Sequence, residues 1–320
     1  MYFISASGRS KVAIIGTGFV GASTAYAMAL QQNAREIVLI DAIREKAIGE
    51  AMDINHGLCF VDEINVYAGD YSDVKDCDVI VVTAGRNRSP GETRLELAHK
   101  NVVLAKEITN NIMKHYTKGT ILVVANPVDI LTYMIQKWSG LPNGKVIGTG
   151  TALDSARFRH ELAKKFNVDV RNVHGYIVGE HGDSQIPLWS ATHIAGMNVL
   201  DYGNLHGNGF TEADKEAIKE SVKKAGATII KNKGATYYAI GITTSTIVET
   251  LLKHQNTIRT VSSVIEGQYG IEDVAISLPT IINSEGAQRI IEFNITPEEE
   301  NLLRESAKAV KAVLSEVKNI

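Results

Sequence analysis

Lys11-Val12-Ala13-Ile14-Ile15 runs straight into Gly16-Thr17-Gly18-Phe19-Val20-Gly21, and the alanine-rich segment Ala22 to Gln31 follows. An apolar, β-branched pentapeptide before a glycine turn, with a helix-prone stretch after it, reads as strand, tight turn, helix. That unit commits a chain to a layered α/β fold, because the helix must lie back across the sheet its strand has entered. Each glycine has its own reason. Gly16 permits the turn, Gly18 lets backbone approach a pyrophosphate, and Gly21 lets the helix pack on the strand with its N-terminus towards the phosphates. A second strand, Glu36 to Ile40, ends at Asp41, about 20 residues beyond Gly21. A carboxylate there accepts hydrogen bonds from ribose hydroxyls and repels a 2′-phosphate, so NAD is favoured over NADP. A methyltransferase or an NAD-sensing regulator could use the same scaffold.

The rhythm continues with Cys77 to Ala84 and Thr120 to Ala125, near-continuous apolar runs of the kind parallel strands show when both faces are covered. Between them Leu95, Ala98, Val102, Ala105 and Ile112 recur at helical spacing. The expected fold is α/β, a Rossmann-type doubly wound parallel sheet followed by an α+β catalytic domain. Residues 1–150 form the NAD-binding domain and 151–320 the catalytic one. Open sheets bind ligands at the carboxyl edge of their strands. This assigns Phe19, Val20, Thr83, Ala84 and Gly85 to the cofactor, with Gly16, Gly18, Gly21 and Asp41. Asn126, before Pro127, ends the fifth strand; its amide can orient a carbonyl or a nicotinamide, and a plain turn residue is an equally good reading.

Three further stretches carry chemistry. Gly85 to Arg94 is a Gly/Pro-marked loop holding Arg86, Arg88 and Arg94, able to act as a cationic lid over a bound anion. If Thr151 to His160 is helical, Asp154 and Arg157 are i and i+3 on one face. Arg157 then suits a substrate carboxylate through its planar fork, and Asp154 can take an imidazole N–H. That imidazole is His181, set between Gly179 and Gly182, where missing side chains would let a ligand come close. Thr236 opens a long apolar helix, Tyr237 to His254, followed by β-rich runs at Thr257 to Ile265 and Val274 to Ile282. Thr296-Pro297-Glu298-Glu299 caps a terminal helix whose buried stripe is Leu303, Ala307, Val310, Leu314 and Val317.

Composition narrows the class. A formal charge of -3 over 320 residues offers no basic field for nucleic acid. Met1 to Ser10 lacks a signal-peptide core and no apolar run nears the roughly 20 residues of a membrane span. Cys59 and Cys77 are too few for a disulfide framework, and the nine histidines show no metal spacing. A cytoplasmic protein with small-molecule partners, no membrane and no metal is expected.

Together these residues resemble the NAD-dependent L-lactate and L-malate dehydrogenases, through Gly16 to Gly21, Asp41, Pro90 to Arg94, Asn126 to Asp129, Leu153 to Arg157 and Gly179 to Ser184. The resemblance implies that His181 is the proton donor and acceptor and that Asp154 orients it. It implies that Arg157 binds the 1-carboxylate, that Arg94 polarises the carbonyl, and that Asn126 contacts substrate and nicotinamide. Thr236 resembles the family's small polar residue lining the substrate pocket. It also implies a homodimer or homotetramer. Lactate enzymes usually carry glutamine six positions before the loop arginine, where this chain has Arg88. Pyruvate's methyl would strand a desolvated guanidinium at a cost of about 3–5 kcal/mol, which points to malate and oxaloacetate. The surrounding frame looks more like bacterial lactate dehydrogenases, so lactate and pyruvate are the alternative and a non-catalytic NADH sensor a distant one. Arg159 and His174 match the positions where bacterial lactate dehydrogenases bind fructose 1,6-bisphosphate, which implies a sugar-bisphosphate effector.

Overall fold

Strands and helices alternate through the first half: β1 (Lys11–Ile15), α1 (Phe19–Gln31), β2 (Glu36–Ile40), α2 (Arg44–Gly57), β3 (Asn65–Ala68), β4 (Val79–Val82), α3 (Arg94–Met113), β5 (Thr120–Val123), α4 (Val128–Ser139) and β6 (Val146–Gly148). This is a computed structural model describing residues 10–61, 64–86, 91–205, 209–318 and 320, with the backbone but not the side chain of Arg94. The second half holds α5 (Ala152–Phe166), the short strands β7 (Val173–His174), β8 (Ile177–Val178), β9 (Ile186–Pro187), β10 (His193–Ile194) and β11 (Met197–Asn198), and α6 (Val199–Leu205). It continues with α7 (Glu212–Lys233), α8 (Tyr238–Leu252), β12 (Thr257–Glu266), β13 (Glu272–Asn283), β14 (Gly286–Ile290) and α9 (Pro297–Val317).

The first six strands are parallel in the order β3-β2-β1-β4-β5-β6, reversing direction of build beside β1. Register aligns their carboxyl ends: Ile15 pairs with Ile40 and Val82, Val82 with Val123, and Val123 with Gly148. Gly16, Asp41, Thr83 and Val124 therefore emerge along one edge, at the switch point where doubly wound sheets take ligands. The two-residue period of each strand sorts side chains to opposite faces. Val12, Ile14, Ile37, Leu39, Val79 and Val81 join Ile247, Val248 and Leu251 of α8 in one core. Ala13, Ile15, Val38, Ile80, Val82, Ile121 and Val123 join Leu303, Ala307, Val310 and Leu314 of α9 in the other. At about 1.5–3 kcal/mol for each large aliphatic side chain buried, two helices from the second half stabilise the sheet of the first.

The sheet does not stop at β6. β12 pairs antiparallel to it through Ser262 and Gly148, and β13 and β14 extend it to nine strands, so the parallel unit grows into a mixed sheet. A third core, with Phe158, Leu162, Ile177 and Val199, lies under α5 and α7. α7 has no counterpart in the sequence reading: over its 22 residues only Ile218 and Val222 are buried, too few for a clear stripe. Among the described residues, no helix is long and apolar enough to cross a membrane.

Candidate active site

The glycine turn is closed by main chain. At Gly16 φ is +97°, and a Cβ there would lie 2.6 Å from the Ala84 nitrogen; one on Gly21 would lie 1.9 Å from the Gly16 carbonyl oxygen. Thr83 Oγ1 donates to that same carbonyl at 2.6 Å, so Thr83 and Ala84 brace the turn from the neighbouring strand. Asp41 Oδ2 accepts from the backbone N–H and the hydroxyl of Thr17 at 2.7 and 2.9 Å, and Oδ1 from Ile43 N–H at 3.0 Å. Burial works to raise its pKa, but these donors and the charge of Lys46 hold the carboxyl below its ordinary value. An ionised acid locked beside a turn where a Cβ on Gly18 would meet nothing nearer than Lys46 Nζ at 3.9 Å fits the ribose and pyrophosphate of NAD. Phe19 is exposed and stacks on Tyr237, ring centroids 5.2 Å apart, which brings Thr236 at the entrance of α8 towards this turn. Val20 is half-buried, and Gly85 sits beside Ala125.

The second centre assembles around His181. Its Nδ1 lies 2.6 Å from Asp154 Oδ2, while Asp154 Oδ1 accepts from Arg157 at 2.9 Å. The i, i+3 spacing on α5 thus lets one carboxylate, 3% exposed, serve both an imidazole and a guanidinium. With Asp154 ionised, Nδ1 carries the donated proton and Nε2 is left to gain and lose one. Burial would make His181 harder to protonate, but the charge and hydrogen bond of Asp154, and Asp129 behind it, outweigh burial and the opposing charge of Arg157, so His181 titrates above its ordinary value. Burial likewise works to raise Asp154, yet His181 and Arg157 hold it below the carboxylate norm. The ring remains 28% exposed and borders a cavity of about 390 Å³ lined also by Leu95, Pro127, Ile130, Val310 and Val313.

Main-chain and side-chain groups from distant elements hold the loop that carries His181. Gly179 N–H donates to the Ser277 carbonyl at 2.9 Å, Glu180 N–H to Ser306 Oγ of α9 at 2.9 Å, and His181 N–H to Asp129 Oδ2 of α4 at 2.7 Å. The flanking glycines serve this frame more than ligand approach. A Cβ on Gly179 would meet Ser306 Oγ at 2.6 Å, and one on Gly182 would meet the Glu180 carboxyl carbon at 2.7 Å. Asp129, Ser262 and Ser306 were not legible as site residues; the available signal was a polar residue inside a buried stripe, as Ser306 stands between Leu303 and Ala307. Asn101 was missed too. Buried on α3, it accepts from Arg86 N–H at 2.8 Å and donates to the carbonyls of Arg86 and Asn126, tying two strand-end loops together.

Asn126 is exposed at the end of β5, and its Oδ1 accepts from Val128 N–H at 3.3 Å, which leaves its amide N–H groups as the donors it can offer. Arg88 lies outside the described residues, as does the side chain of Arg94. Arg159 and His174 come together away from His181, in a cavity of about 510 Å³ that Arg259 and Tyr176 also line.

The family model described as lactate/malate dehydrogenase, NAD binding domain, matches residues 10–148, and its alpha/beta C-terminal domain counterpart matches residues 151–320. The L-lactate dehydrogenase of Thermoanaerobacter sp. (strain X514) is 48% identical over 308 residues, 96% of this chain and 99% of its own. The solved minor L-lactate dehydrogenase from Enterococcus mundtii, in its ligands-bound form, superposes with a TM-score of 0.94 at 42% identity, covering 97% of this chain and 98% of its own. The L-lactate dehydrogenase structure from Clostridium thermocellum gives a TM-score of 0.86 at 67% identity, covering 97% and 100%. These likenesses overturn the expectation of a malate enzyme. The Arg88 argument requires a guanidinium desolvated over the substrate; a long cationic side chain on a loop can keep its head in water, and then a methyl group strands no charge.

Proposed function

Because the chain belongs to the lactate/malate dehydrogenase family, with NAD as cofactor, and is a 2-hydroxy acid dehydrogenase, we propose that it is an L-lactate dehydrogenase interconverting pyruvate and L-lactate. The observation that carries the chemistry is Asp154, one buried carboxylate shared by His181 and Arg157. Arg157 has further N–H groups in its fork for the substrate carboxylate, which sets the ketone at a fixed distance from the imidazole. The Gly16–Gly21 turn and Asp41 would hold NADH, which would supply the hydride. His181 Nε2 delivers the proton to the ketone oxygen, and the carboxylate of Asp154 stabilises the imidazolium before transfer. Arg94 is assigned polarisation of the ketone, Asn126 a hydrogen bond to substrate and nicotinamide, and Thr236 the pocket wall. In lactate oxidation the same nitrogen, neutral, takes the hydroxyl proton. The test is kcat/KM for pyruvate against oxaloacetate with NADH in one preparation: preference for pyruvate is expected, and preference for oxaloacetate would overturn the reading.

The enzyme is read as a cytoplasmic homodimer or homotetramer. In support, α1, α2 and α8 expose Tyr26, Leu30, Ile48, Met52, Tyr238 and Ile242, more apolar surface than helices facing only water need. Light scattering should give at least twice the chain mass. The Arg159 and His174 cavity is read as a sugar-bisphosphate site. Burial lowers the pKa of both Arg159 and Arg259, and the buried Nε of Arg259 has no hydrogen-bond partner among the described residues. Added fructose 1,6-bisphosphate should raise the melting temperature or the rate; neither changing would refute the site.

A further inference from the structure

Asp129 stands in the first turn of α4, 3% exposed, and its two oxygens reach two other elements. Oδ2 accepts from the backbone N–H of His181 at 2.7 Å, and Oδ1 from Ser262 Oγ of β12 at 2.6 Å. Both donors are neutral. An amide could keep its oxygen on the His181 N–H and turn its NH2 to Ser262 Oγ, which can accept, without the desolvation that a charge pays. Holding the loop therefore accounts for an acceptor at this position but not for a carboxylate. The charge has a target, because Asp129 and His181 line the same cavity.

We propose that Asp129 is a positioning residue for proton transfer, an acid that anchors the backbone of His181 and by its charge helps hold the imidazole protonated. The inference rests on His181 as the proton carrier. Asp154 acts on the ring directly; Asp129 acts from behind it, through the main chain. Among the described residues, the other charged groups facing the pair are Asp154 and Arg157 on α5, Glu180 beside the histidine and Glu316 of α9 across the cavity. Burial pushes the Asp129 carboxyl up to about 6, and Glu180 adds to that, while Ser262, the His181 N–H and the His181 charge oppose it. Asp129 is thus ionised in the range where His181, shifted upwards, titrates.

Asp129→Asn keeps an acceptor for His181 N–H and deletes the charge. The titration of His181 is followed by NMR on histidine-labelled protein without substrate, its signal assigned by loss in His181→Gln. The midpoint should fall by about one pH unit, and the alkaline limb of kcat/KM for pyruvate reduction should move down with it. If the variant does not fold, Ser262→Ala takes its place. Loss of the hydroxyl donor keeps Asp129 protonated to higher pH, so the midpoint should fall in the same direction by less. A folded variant with the His181 midpoint unchanged would overturn the proposal, even if activity were lost. Because the NMR midpoint needs no turnover, failure of the lactate reading would leave this test intact.

Discussion

Two glycine-flanked turns, Gly16–Gly21 and Gly179–Gly182, use their missing side chains differently. In the first, the space a Cβ would fill is taken by backbone of the same turn and the next strand, the Gly16 oxygen and the Ala84 nitrogen. In the second it is taken largely by side chains: Ser306 from α9 stands against Gly179, and Glu180 against Gly182. Asp129 then holds the His181 backbone and Asp154 its ring. A cradle made of main chain offers N–H groups whose direction does not titrate and suits a constant ligand such as a dinucleotide. A site made of convergent carboxylates can set a proton affinity, as acid–base chemistry requires.

The largest effect should come from the titrating turn. His181→Gln removes the proposed proton carrier and should lower kcat for pyruvate reduction by roughly 10²–10⁴-fold while NADH binding, read by fluorescence, persists. Retention of kcat within tenfold would move the proton carrier elsewhere. The main-chain turn should break sterically: Gly21→Ala places a methyl 1.9 Å from a carbonyl oxygen, and about 3 kcal/mol should be lost from the unfolding free energy, read as a lower urea midpoint. An unchanged midpoint would show that the turn has slack.

Acid sensitivity sharpens the contrast. The folded pKa of Asp154 lies below its unfolded value, so its contribution to stability is present above about pH 4 and is lost as pH falls through the folded value. Asp154→Asn should flatten that part of the stability profile, whereas Thr17→Ala, which loosens only one of three donors to Asp41, should change it little. A modest effect is expected for Ser306→Ala, about 1–2 kcal/mol from an unsatisfied Glu180 N–H, with kcat reduced less than by His181→Gln.

The same difference explains what could be read from the chain. The cofactor turn was legible because its parts are contiguous: strand, glycines, helix and Asp41 at a fixed distance. Asp154 and Arg157 were legible from helical spacing, and His181 from its unusual neighbours. Asp129 and Ser306 were not, because each meets its partner across 52 and 126 residues, with no period linking them. The extension of the sheet by β12 was hidden for the same reason, since its junction with β6 is the single pair Ser262 and Gly148. Substrate choice went astray at the opposite extreme. A single loop position, Arg88, points to a dicarboxylate, whereas the lactate-like frame is spread over the chain.

The pH dependence of kcat/KM for pyruvate reduction in the wild type and Asp154→Asn tests the coupling of Asp154 to His181 most directly. Activity should require the protonated imidazole, so the wild-type rate should fall as pH rises through a value above 6.5, and the variant's fall should begin at lower pH. Coincident profiles in two folded, NADH-binding proteins would contradict the claim that Asp154 sets the proton affinity of His181.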